Sequence, residues 1–113
     1  MKKLLLISAI VSVTLLTGCT EPKLTKNQIE DKYALCDARA KTAEAVMSAR
    51  QSQVPMAEMM KIAKDNRMTK TYVIVSYKKE VYKTPSIRQQ IINDFRDSAY
   101  SVCIDKLLNL ANN

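Results

Sequence analysis

"TYVIVSYKKEVYK", residues 71–83, is the stretch on which the fold turns. Its β-branched and aromatic residues suit a strand. Its apolar residues do not alternate, however: Val73, Tyr77 and Val81 recur at steps of four, with Ile74 adjacent. That is the period of a helix. A lone strand would also leave its backbone groups unpaired, since no other segment reads as its partner. The expectation is therefore a helix over 71–83, with a strand as the alternative, and an all-α fold.

Helical signals flank this stretch on both sides. Thr25 followed by Gln28 fits a capping box. After it Ile29, Tyr33, Cys36, Ala40, Ala43 and Met47 recur at steps of 3 and 4, which predicts a helix over about 26–52. Pro55 stops it and can open the next one, because its missing N–H costs nothing in a first turn. Met56, Met59, Met60 and Ala63 then share a face, and this helix should fade near Asp65-Asn66. The methionines suit either a core or an adaptable binding surface. Arg50 and Gln51, at the end of the first helix, suit hydrogen bonds to carbonyls at that helix's own terminus. Thr84-Pro85, and Ser86 with Gln89, are two overlapping start signals. Ile92, Phe95, Ala99, Cys103, Leu107 and Leu110 make a second long stripe, which predicts a helix over about 86–110.

The N-terminal end has another character. Lys2 and Lys3 precede "LLLISAIVSVTLL", residues 4–16, a run without charge. As a helix it would span about 20 Å, short of a hydrocarbon core of about 30 Å. A positive start, a short apolar run and small residues after it make a secretory signal peptide. The single glycine of the chain, Gly18, stands directly before Cys19. Leu16-Thr17-Gly18-Cys19 resembles the lipobox of bacterial lipoproteins. That resemblance covers about the first 20 residues. It implies lipidation of the Cys19 thiol, cleavage after Gly18, and acylation of the new amino terminus. It also implies the outer membrane, because Thr20 rather than Asp follows the cysteine, with the domain on the periplasmic face. The expected organisation is a signal peptide over 1–18, a lipidated tether over 19–26 and one helical domain over 27–113.

With Cys19 lipidated, Cys36 and Cys103 remain as a pair. An oxidising compartment permits a disulfide between them; two buried free thiols are the alternative. The fold class expected is a small all-α bundle of 3–4 helices stapled by one disulfide. This layout resembles small secreted helical proteins with two such cysteines, a resemblance that carries no activity.

Composition narrows the function. The chain has no His, the commonest general base and metal ligand. No phosphate loop, metal-spaced cluster or nucleophile motif is present, so neither a catalytic residue nor a metal or other cofactor is expected. Asp94, Asp97 and Asp105 on the last helix, and Glu30, Asp31, Asp37 and Glu44 on the first, read as solvated faces. Charge is more informative. Residues 61–83 hold Lys61, Lys64, Arg67, Lys70, Lys78, Lys79 and Lys83 against only Asp65 and Glu80, whereas acids and bases balance on either side. Such a segment suits an anionic partner: anionic lipid, lipopolysaccharide or an acidic protein. A solvated basic face is the plainer alternative, and nucleic acid is not expected outside the cytoplasm. The reading is a membrane-anchored binding module for an envelope partner. The alternatives are a small envelope enzyme and a phage- or plasmid-encoded exclusion or inhibitor protein.

Overall fold

The computed structural model describes residues 25–112, and all their regular structure is helical: α1 (Lys26–Gln51), α2 (Met56–Ala63), α3 (Arg67–Ser76) and α4 (Pro85–Asn112). The expected signal peptide, Cys19 and most of the tether lie outside the described residues, as does the side chain of Leu110.

The helices run alternately up and down. α1 and α4 are antiparallel. Cys36 is bonded to Cys103, Glu44 faces Arg96 at 3.7 Å, and the end of α1 meets the residues just before α4. α2 turns back along α1, and α3 runs up again beside it. Because α1 and α4 are far longer than α2 and α3, their ends near Lys26 and Asn112 extend past the shorter pair as a two-helix arm. The Cys36–Cys103 bond, with Cα atoms 5.5 Å apart, joins the long helices near the base of that arm.

α1 starts where the capping box placed it. The Thr25 hydroxyl accepts from the Gln28 N–H at 3.2 Å, and the Gln28 side chain accepts from the Thr25 N–H at 2.8 Å. It ends in a Schellman-type turn: the Val54 N–H donates to the Ala49 carbonyl at 3.0 Å and the Gln53 N–H to that of Arg50 at 2.9 Å. Gln53 takes the left-handed position (φ 64°) that glycine usually fills, and Lys64 ends α2 at φ 51°. A non-glycine residue there costs on the order of 1–2 kcal/mol, and the burial of Val54 and Ala49 against the core helps to offset it.

The core has two parts, because α1 is buried on two faces. One face, with Cys36, Ala40, Ala43 and Met47, packs toward α4, where Ile92, Cys103 and Leu107 are buried. The other is marked by Val46, which clusters with Met59 of α2 and Val73 of α3. The α1 stripe is less buried in the arm, where Tyr33 is exposed and Ile29 half-buried. Met59 and Ala63 are core, while Met56 is exposed.

The expected helix over 71–83 is corrected at both ends. It begins four residues earlier, since Asn66 caps it by accepting from the Thr69 N–H at 2.9 Å. It ends at Ser76, and residues 77–84 form an irregular connection. Val73 and Tyr77 keep their places on one side, but Val81 does not continue the stripe. The cause is tertiary: side chains of α1 take the backbone groups of 79–82 that a longer helix would need for itself. α2 also stops short, at Ala63.

Candidate functional site: a pinned basic connection and an open cleft

The connection over residues 77–84 is held by four side chains, one of them Arg88, which donates from an Nη to the Lys83 carbonyl at 3.2 Å. Arg50 donates from Nε and an Nη to the Lys79 carbonyl, at 3.0 and 2.8 Å. Its guanidinium also lies 5.1 Å from the centre of the Tyr77 ring. Gln51, only 2% exposed, donates from Nε2 to the Glu80 carbonyl at 2.7 Å. Its Oε1 accepts from the Tyr82 N–H at 2.9 Å. The Tyr77 hydroxyl donates to the Val54 carbonyl, which ties the same connection to the α1–α2 turn. Burial raises the pKa of the Tyr77 hydroxyl, and the nearby Arg50 charge opposes that shift. Arg50 and Gln51 do bond carbonyls, as their position suggested, but those of Lys79 and Glu80 rather than of their own helix end. Satisfying buried polar groups in this way fixes the backbone of an irregular segment.

The seven cations of 61–83 fall into two groups. Lys61, Lys64, Arg67 and Lys70 sit on α2, the turn after it and the start of α3. Lys78, Lys79 and Lys83 sit on the pinned connection. The length of α3, about 15 Å for its ten residues, separates them. Lys78, Lys79 and Lys83 are exposed and, among the described residues, take part in no ion pair. The chain enters α1 at the opposite end of the bundle, about 39 Å away along that helix.

The second feature has no signature in the sequence pattern. α3 and α4 both pack on α1 but make little contact with each other. Between them lies a cleft of about 380 Å³, lined mainly by apolar side chains from both helices. Phe95 and Ala99, on a stripe that reads as core, are only half-buried because they form its wall. Periodicity marks a face as apolar without saying whether another helix closes over it.

The carboxylates singled out as solvated are exposed, apart from half-buried Glu44, which pairs with Arg96. Among the described residues no group of acidic, Cys or His side chains could hold a metal ion, and no helix is long and apolar enough to cross a membrane. Comparison with known proteins finds no match among family models, curated proteins or solved structures.

Proposed function

We propose that this chain is a lipid-anchored lipoprotein of the outer membrane, facing the periplasm, whose helical domain docks an acidic envelope protein through the connection over 77–84. The pinned connection is the observation that carries the reading. Three unpaired lysines stand on backbone that Arg50, Gln51, Tyr77 and Arg88 hold in place, so docking costs little ordering entropy. Its distance from the start of α1 favours a protein over membrane headgroups. A domain standing on its tether holds these lysines about 39 Å from the membrane. Headgroup charge is screened within about 8 Å at 0.15 M salt.

The anchor rests on Leu16-Thr17-Gly18-Cys19. Cys19→Ser should abolish incorporation of radioactive palmitate and leave the precursor uncleaved. Labelling at the wild-type level in that variant would remove the anchor from the proposal.

The docking face has its own test. Lys78→Gln, Lys79→Gln and Lys83→Gln together should lower low-salt capture of the partner from solubilised envelopes about tenfold, taking up to about 0.5 kcal/mol per exposed pair. The loss should shrink as salt is raised. Helix content and melting temperature should stay near wild type, since surface changes usually fall within about 0.5 kcal/mol. Undiminished capture would leave the lysines a solvated face. A parallel loss of binding to phosphatidylglycerol vesicles would make the target a lipid.

A further inference from the structure

The cleft between α3 and α4 has features that the docking face does not use. Val75 on α3 and Val102 on α4 are 40% and 53% exposed on its walls. The walls cannot collapse onto each other. α4 is locked to α1 by the disulfide, and α3 is fixed on α1 through Val73 and Val46. Tyr72 and Phe95 bridge them, edge to face, with ring centres 6.2 Å apart. The charge around the cleft has one sign. Arg39, Arg67 and Lys106 border it, and none of its lining residues is acidic. Among the described residues none of these three cations is in an ion pair. The strongest contact found there for the Arg39 guanidinium is the Cys103 sulfur at 3.8 Å. Away from these cations, a second space of about 340 Å³ continues past Val75 and Phe95 to Met47 and Ile91, with Lys79 and Asp94 also on its lining.

We propose that this cleft binds a long-chain fatty acid, with its carboxylate among Arg39, Arg67 and Lys106 and its tail running past Val75 and Phe95 toward Ile91. The dimensions agree. From Lys106 to Ile91 along α4 is about 22 Å. One acyl tail fills about half of a hydrocarbon core of about 30 Å, hence about 15 Å, which leaves room for the head group. Largely apolar walls with a few convergent polar groups are the usual form of a small-molecule site, and the three cations without an acidic neighbour on the lining lie at the Lys106 end.

The test is photo-labelling of the full chain in neutral phosphatidylcholine vesicles, using palmitate that carries a diazirine at the tail end. Adducts should map to the peptides holding Val75 and Ile91–Phe95. Excess palmitate should compete them away and hexadecanol should not. Ser98→Trp, at an exposed cleft position, should fill the space and remove the labelling. Arg67→Gln with Lys106→Gln should raise the palmitate needed for half-competition about tenfold. An intact Cys36–Cys103 bond and wild-type helix content confirm that each variant is folded. Adducts scattered along the chain, equal competition by hexadecanol, or wild-type labelling of Ser98→Trp would each overturn the proposal.

Discussion

Replacing Cys36 and Cys103 together by Ala should lower the unfolding free energy by about 4 kcal/mol. The bond closes a loop of 67 residues, and the chain-entropy estimate for a loop of that length is about 4 kcal/mol. A domain of this size has only about 5–10 kcal/mol in total. The urea midpoint should fall by about 3 M at a slope of about 1.5 kcal/mol per M, read from helix content. The effect should be largest in the arm. Past the bond, Leu107 is buried and Ile29 and Ile104 are half-buried on the two long helices, and neither α2 nor α3 extends alongside them. Amide exchange in residues 26–35 should therefore rise more than in α2 or α3. A midpoint shift below about 0.5 M would mean that the helices pair as firmly without the bond.

The second large effect should come from Gln51→Met. Methionine matches the length and burial of glutamine but makes neither of its hydrogen bonds to the connection. The Glu80 carbonyl and the Tyr82 N–H would then be left without their partners. An orphaned buried group costs about 1–3 kcal/mol, so the loss expected for the two is about 2–4 kcal/mol. Arg50→Met is the control. It removes two bonds to the Lys79 carbonyl in a more exposed setting, where water can replace them, and should cost about 1 kcal/mol or less. Thermal melts of the two variants decide the matter, together with exchange of the Tyr82 amide, which only Gln51→Met should accelerate strongly. Equal melting temperatures would show that the connection does not depend on the buried glutamine.

The sequence carried the helices through local signals that tertiary packing did not oppose. Thr25 with Gln28, Pro55, and Thr84-Pro85 each act within a few residues, and each begins or separates a helix where the pattern placed it. The disulfide was legible too, because both cysteines lie on apolar stripes of the two longest helices. The end of α3 was not. Nothing local in residues 71–83 says that Gln51, more than 25 residues earlier, takes hydrogen-bonding groups at Glu80 and Tyr82. Asn66 is a cap signal in principle, since Asn before a helical run favours an N-cap, but its place just after the Met56–Ala63 face suits the end of α2 as well as the start of α3. The cation cluster was visible as composition, and its division in two depended on how far α3 extends. The cleft was hidden for another reason. An apolar stripe gives the direction of a helix face, whereas an open slot depends on which neighbour is absent from that face.

The position of the disulfide has a mechanical consequence. A pull on the start of α1 against a load held at the 77–84 connection runs along the axis of that helix. Hydrogen bonds of the first turns would open one after another under such a force, like a zip. The crosslink lies only ten residues into α1, at Cys36. Past that point the tension is shared between two covalently joined helices, and peeling α1 away would require breaking a covalent bond. The arm can thus yield as a short extensible leash, while the bundle that carries the lysines and the cleft keeps its shape under tension.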